Sequence, residues 1–326
     1  MPSFASAVAA TDQTYANFLQ SQVSPWWQQV AQSTFSGRKD KKIAYCHAKG
    51  GHRRVIIVVS GRIESMLKYQ PLLFELFQQG FDIVALDHRG QGLSERLTHD
   101  PIIGHIDQFN YFIDDLNSLY EQVIAPMGYA QHYMLAHSMG GTIASRFVQR
   151  YPHKVDRLAL CAPMLGVQLP PALKIFAPVV ARCLDLFQRQ PHYAFGQGPY
   201  CNKPFAENKL THDEIRYHAF RNQYELHPQI KLGGPSNRWV WQSLRACHQC
   251  FCGARKHRTP TLLLQAELEQ IVDNHSQARF NQLINRRGGN CKLHVVTGAK
   301  HEILFEQDEI RNQAIDLILQ HFKAPN

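Results

Sequence analysis

The feature that most constrains this chain is a regular alternation of short apolar runs with amphipathic stretches. "KIAYCHA" (42–48), "RVIIVVS" (54–60), "FDIVALD" (81–87), "HYMLA" (132–136), "VDRLALCAP" (155–163), "TPTLLLQA" (259–266) and "CKLHVVTG" (291–298) all have strand length. "RVIIVVS" is apolar at successive positions, as a strand covered on both faces requires. Between these runs lie segments of helical period: 69–80 ending in Gly80, 109–126 stopped by Pro126, 139–152 stopped by Pro152, 274–285 and 307–322. Strands alternating with helices at this spacing predict an α/β fold, a mostly parallel sheet with helices on both faces.

One interval breaks the rhythm. Between Cys161 and Thr261 lie about a hundred residues, several times what a crossover needs, rich in Pro, Phe, Tyr and Trp. This predicts a cap inserted over the strand ends. The expected organisation is an N-terminal helical segment at 1–40, a core built from 41–164 and 256–326, and a cap at 165–255.

Within the core pattern, "LAHSMGG" (135–141) places Ser138 where a strand runs directly into a helix. This is close to the G-x-S-x-G turn that holds a nucleophilic serine at a strained apex. Ala136 stands in for the first glycine and is compatible with the turn if its backbone stays extended. The competing reading is a serine that merely caps the following helix.

A serine hydroxyl becomes a nucleophile only with a histidine to take its proton and a carboxylate to orient that histidine. In this architecture the partners follow in the order serine, acid, histidine, on loops after strands. His301, in "TGAKHEILFE", stands between the last strand and the last helix. The loop "AELEQIVDN" offers Glu267, Glu269 and Asp273. Glu269 is favoured where the loop turns back, while Asp273 is well placed to anchor the next helix. An oxyanion needs two aimed N–H groups. Met139 follows the serine, and the glycine turn in "VVSGRIES" offers the main chain of Arg62. His88, in "DHRGQG", reads as a brace of the site floor.

Composition narrows the function. With 44% hydrophobic and 19% charged residues the chain is globular. A net charge of +9 favours anionic partners, yet no nucleic-acid motif accompanies it, so an anionic membrane surface is the expected partner and nucleic acid is not. The eight cysteines form no small-domain framework and read as reduced thiols. "CHQCFC" (247–252) has no second ligand pair at finger spacing, so no metal is expected. No basic n-region precedes an apolar run at the N-terminus. The most apolar stretch, 172–187, is interrupted by Lys174, Pro178, Arg182 and Asp185 and is too polar to span a bilayer. The expectation is a cytoplasmic protein, bound to a membrane at its surface if at all.

Together "SGRIES", "DHRGQGLSER", "AHSMGG", "GGPSNRW", "LLLQAELEQIVDN" and "GAKHEILFE" resemble the α/β-hydrolase group of monoacylglycerol-lipase-like serine hydrolases. Within that group they are most similar to bacterial inner-membrane-associated lysophospholipases. The resemblance implies the α/β-hydrolase fold with a helical cap. It implies catalytic Ser138, Glu269 and His301, with Arg62 and Met139 as oxyanion donors. It also implies a carboxylic-ester hydrolase needing no cofactor, peripheral on the cytoplasmic side of the inner membrane. Glu in place of the usual Asp, and "SGR" in place of His-Gly, depart from the broader group. The candidate substrate-pocket residues are His137 beside the serine, Phe176 and Val180 on the apolar face of the cap helix (which equally suits packing on the core), and Trp239 in "GGPSNRW". The substrates implied are lysophospholipids. The alternatives are a monoacylglycerol lipase or broad carboxylesterase, and a non-catalytic hydrolase-fold protein that binds membranes or partners.

Overall fold

The computed structural model describes residues 12–168 and 171–324, the side chains of 12 and 171–178 excepted. In chain order the strands are β1 (Ala31–Ser36), β2 (Lys42–Ala48), β3 (Arg54–Val59), β4 (Asp82–Leu86), β5 (Gln131–His137), β6 (Arg157–Cys161), β7 (Thr261–Ala266) and β8 (Cys291–Val296). The α-helices are α1 (Asp12–Phe18), α2 (Ser24–Trp27), α3 (Met66–Gln78), α4 (Asn110–Leu119), α5 (Met139–Arg150), α6 (Pro171–Phe187), α7 (Glu214–Leu226), α8 (Asn237–Cys252), α9 (Asn274–Arg286) and α10 (Asp308–Lys323).

The strands form one sheet in the order β1-β2-β4-β3-β5-β6-β7-β8. It is antiparallel at β1–β2 and β2–β4 and parallel from β4 to β8. Where the sequence reading expects only helix up to residue 40, the structure places β1. Its composition, "AQSTFS", leaves Phe35 as the one buried side chain, so the apolar signal of a strand is missing there.

Alternation along each strand divides the interior in two. Ile56 and Val58 point to the layer of α3 and α10, where they join Leu72, Leu73, Leu76, Ile315, Ile318 and Phe322. Val55, Ile57 and Val59 point to the opposite layer and join Phe112, Ile143, Phe147, Phe280 and Ile284 of α4, α5 and α9. Each such fully buried side chain contributes roughly 1.5–3 kcal/mol. These two layers, rather than helix propensity, hold the parallel strands side by side.

Between β6 and β7 the chain leaves the sheet to form α6, α7 and α8. α6 packs on α8, where the Asp185 carboxylate takes Arg238 Nε at 2.9 Å and Trp241 Nε1 at 3.1 Å. The second half of α8 buries Ala246, Cys247 and Cys250 in the core layer of α5 and α9. Main-chain bonds stitch the insertion to the core at Gly104 N–Gly234 O (2.9 Å), Gly233 N–Ile102 O (2.7 Å) and Glu302 N–Leu210 O (2.8 Å). No helix among the described residues is long and apolar enough to cross a membrane.

Candidate active site

The turn at Ser138 is built as the sequence predicts. β5 runs straight into α5, and Ser138 takes φ 51°, ψ −117°, a strained conformation for any residue but glycine. Two glycines make that turn sterically feasible. A Cβ on Gly140 would stand 2.2 Å from Val59 O, and one on Gly141 would stand 2.5 Å from Pro163 Cβ. Ala136 lies within β5, paired with Val59 and Leu160 and outside the positive-φ region, so its methyl group is accommodated.

The helix-cap reading of Ser138 does not hold, because its side chain makes no capping bond to α5. Instead its Oγ lies 3.0 Å from His301 Nε2. His301 Nδ1 lies 2.7 Å from Glu269 Oε2. The other oxygen of Glu269 accepts the N–H groups of Ile271 (2.7 Å) and Val272 (3.2 Å). Burial alone would raise the Glu269 pKa, but the His301 ring and these two donors outweigh it and hold the carboxyl below its usual range. Asp273 instead caps α9, accepting from His275 N and from Ser276 Oγ at 2.7 Å. Glu267 accepts Gly298 N at 2.8 Å. Of the three acids, Glu269 is the one against the histidine.

Met139 is the first residue of α5, so its N–H has no acceptor in its own helix, and the positive end of the helix dipole faces the serine. The Gly61 turn abuts from the other side: a Cβ on Gly61 would stand 3.2 Å from Ser138 Cβ. That turn is tightly held. The Gly61 N–H donates to Glu64 Oε2, Gln91 Nε2 donates to Gly61 O at 2.8 Å, and Tyr224 Oη donates to Ile63 O at 2.7 Å. His88 Nε2 contacts Ser60 O at 3.0 Å, and burial lowers its pKa to about 4, so it braces the floor as a neutral ring.

Sequence reasoning missed a buried charge cluster beside the serine. Lys68 Nζ lies 2.5 Å from Glu64 Oε1 and 2.6 Å from Glu302 Oε2. Tyr69 Oη donates to Glu64 Oε2 at 2.7 Å, and His137 Nε2 is 3.8 Å from Glu302. Burial would strip the Lys68 proton, but the two carboxylates hold its pKa above the ordinary value. His137 is pulled down by burial. Glu64, His137 and Glu302 bring potential metal-ligand atoms within 4.8 Å of one another, but the Lys68 ammonium already bridges the two carboxylates. The available signal was local: a glutamate directly after His301, and an i, i+4 Glu–Lys pair at the start of α3.

This cluster yields a stability prediction. Lys68→Met strands two buried carboxylates and is expected to cost about 3–5 kcal/mol at neutral pH. Adding Glu64→Gln and Glu302→Gln removes the stranded charges and restores most of the loss. Urea denaturation measures both, and a Lys68→Met protein as stable as wild type contradicts this account.

Ser138 and His301 open into a cavity of about 720 Å³ beneath the cap. His137, Val180 and Trp239, three of the expected pocket residues, line it along with Leu184, Phe220 and Ile271. The side chain of Phe176, the fourth, lies outside the described residues. Phe187, the last residue of α6, is 89% exposed. The "CHQCFC" thiols do not converge: Cys247 Sγ faces Met164 O at 3.1 Å, Cys250 Sγ faces Thr142 O at 3.8 Å, and Cys252 Sγ faces His248.

The sheet order, the serine turn and the inserted cap define an α/β-hydrolase. The chain belongs to the Hydrolase_4 family, described as serine aminopeptidase S33, whose profile matches residues 50–308. It is 39% identical to lysophospholipase L2 of Escherichia coli (strain K12), over 97% of this chain and 94% of that protein. It is 32% identical to a probable lysophospholipase L2 of Haemophilus influenzae, over 94% and 96%. A soluble variant of monoglyceride lipase from Saccharomyces cerevisiae, solved with a substrate analogue, shares the fold at TM-score 0.68 and 18% identity. That match covers 90% of this chain and 94% of the yeast one.

Proposed function

We propose that this chain is a lysophospholipase that cleaves the carboxylic ester of a single-chain phospholipid through an acyl-enzyme. The observation that carries this is the hydrogen-bonded series Ser138–His301–Glu269 at the floor of an apolar cavity. The similarity to lysophospholipase L2 over nearly the whole chain supports the substrate class.

In this reading Ser138 Oγ attacks the ester carbonyl while His301 Nε2 takes its proton. Glu269 holds the ring in the tautomer that presents a free Nε2 and stabilises the imidazolium that forms. The main-chain N–H groups of Met139 and Arg62 receive the developing oxyanion, each such donor contributing about 10²–10³ in rate. His301 then gives its proton to the glycerol oxygen, which leaves. Water, deprotonated by the same nitrogen, attacks the acyl-serine, and its proton returns through His301 to Ser138 as the fatty acid departs. Val180, Leu184, Phe220 and Ile271 line the cavity as the apolar wall for the acyl chain. No step calls for a metal or an organic cofactor.

The cavity mouth also supports action at a lipid surface. Val179, Leu186, Phe187 and Phe195 are 60, 69, 89 and 99% exposed around the cap, and Phe195 lies on the cavity rim. Exposed apolar side chains of this size on a chain of net charge +9 suit the interface of an anionic bilayer.

The test is a turnover panel on anionic vesicles with lysophosphatidylethanolamine, lysophosphatidylcholine and monoacylglycerol of one chain length. The expected result is higher kcat/KM on the two phospholipids, and equal or faster monoacylglycerol cleavage moves the chain to the lipase reading. In the same vesicles Phe187→Ser with Phe195→Ser is expected to reduce co-sedimentation severalfold. Unchanged binding removes the membrane role of the cap.

A further inference from the structure

Arg62 is a partly buried cation that lines the cavity of Ser138. Three buried arginines have carboxylate partners: Arg89 with Asp115, Arg216 with Asp213 and Asp308, Arg311 with Glu75. Among the described residues no carboxylate pairs with Arg62. Its guanidinium donates once, Nη2 to Gly233 O at 2.5 Å. Its Nε is shielded from solvent and has no hydrogen-bond partner. Trp239 lies against the guanidinium, the central carbon 5.0 Å from the ring centroid. On the edge by Nη2, Gly104 leaves the room, since a Cβ there would stand 2.7 Å from that nitrogen. The planar fork is thus fixed on a face and an edge while part of its donor capacity stays unspent.

A cation taken out of water without a counter-ion costs free energy, and here burial draws the pKa down to about 10. The group still carries its charge at neutral pH. That cost is recovered when an anion enters, and a guanidinium fork is the side-chain geometry best matched to a phosphate. The position fits as well. Arg62 lines the same cavity as Ser138, and at its neighbour Gly61 an added Cβ would stand 3.2 Å from Ser138 Cβ. In a lysophospholipid, one glycerol unit separates the scissile ester from the phosphate, a span comparable to an arginine side chain.

The other cations at the cavity are less suited. Lys68 is spent on Glu64 and Glu302, and those two carboxylates leave its surroundings net negative. Arg221 is engaged with Asn202 Oδ1 and Cys201 O, both at 2.9 Å, among the rings of Tyr200, Tyr217 and Tyr224.

We propose that the Arg62 guanidinium binds the phosphate of the substrate's head group and thereby sets the preference of this site for lysophospholipids over neutral monoacylglycerols. The assignment rests on the lysophospholipase reading and adds to it a residue that determines specificity. Arg62 then has two roles in one residue: its main-chain N–H faces the oxyanion and its side chain faces the head group.

The test compares wild type with Arg62→Met and Arg62→Lys, all of which keep the main-chain N–H. The readout is the ratio of kcat/KM for lysophosphatidylethanolamine to kcat/KM for the monoacylglycerol of the same chain. Loss of charge-assisted bonds to phosphate predicts a fall in that ratio of about 10- to 100-fold in Arg62→Met. In Arg62→Lys the fall is smaller, because a point charge replaces the fork. sn-Glycerol 3-phosphate is expected to compete with the lipid on wild type and to lose that competition in Arg62→Met. An equal loss on both substrates, the result if Arg62 only braces Gly233 and Trp239, overturns the proposal, as does an unchanged ratio. Inorganic phosphate competing as well as glycerol 3-phosphate assigns the cation to free phosphate and overturns the head-group role. Wild type that shows no preference for the phospholipid removes the functional reading itself. A preferring wild type with an unchanged ratio in Arg62→Met removes only the role of Arg62.

Discussion

Ser138→Ala is expected to lower turnover by about a millionfold, the scale on which loss of the nucleophile disables a serine hydrolase. Labelling by a fluorophosphonate is expected to vanish with it. Stability is expected to stay near that of wild type, because alanine keeps the Cβ and the same strained backbone and loses only an oxygen bonded to His301. Ser138→Gly separates chemistry from strain. At φ 51°, ψ −117° glycine relieves a conformation that costs a larger residue roughly 1–3 kcal/mol, so this variant is equally inactive yet melts higher than Ser138→Ala. Residual esterase activity above a thousandth of wild type in both variants would place the nucleophile elsewhere. A Ser138→Gly protein less stable than Ser138→Ala contradicts the strained turn.

The second large effect concerns the acid. Glu269→Gln is expected to cost about 10⁴ in kcat, and the reason lies in how the carboxylate is held. Its Oε1 takes the N–H groups of Ile271 and Val272, so in the amide the oxygen stays there and the NH₂ faces His301. The ring must then accept at Nδ1, which puts its proton on Nε2, where it can no longer take one from Ser138. Asp273→Asn removes a charge from the cap of α9, so its cost appears mainly as stability, on the order of 1 kcal/mol or less, with kcat within a fewfold. Steady-state kinetics on the two purified variants decide the matter. Loss of turnover in Asp273→Asn with activity retained in Glu269→Gln reverses the assignment.

Local signals carry far in this chain. β3, β5 and β7 are legible because a buried parallel strand must be apolar at successive positions. The serine turn is legible because Gly140 and Gly141 sit where any side chain would strike Val59 O or Pro163. β1 escapes the same reading because an edge strand with five exposed residues in six has no apolar signature. The helix expected over 109–126 changes its winding at Tyr120 and again at Ala125, a change that side-chain periodicity does not encode. The Lys68 cluster escapes for another reason: its members come from the Gly61 turn, α3, the end of β5 and the His301 loop, and no window along the chain contains them. The unpaired state of Arg62 is likewise a property of what surrounds it in space.

The stitching of the cap carries a consequence for how the two parts of the molecule vary together. Leu210 O receives Glu302 N, Thr211 Oγ1 donates to Phe305 O, His212 Nδ1 meets Glu306 Oε1, and Arg216 bonds Asp308. One margin of the insertion is therefore buttoned to the very loop that presents His301, while α6 of the same insertion carries exposed apolar side chains. A chimera that exchanges caps between relatives must carry 210–216 and 300–308 as one inherited unit.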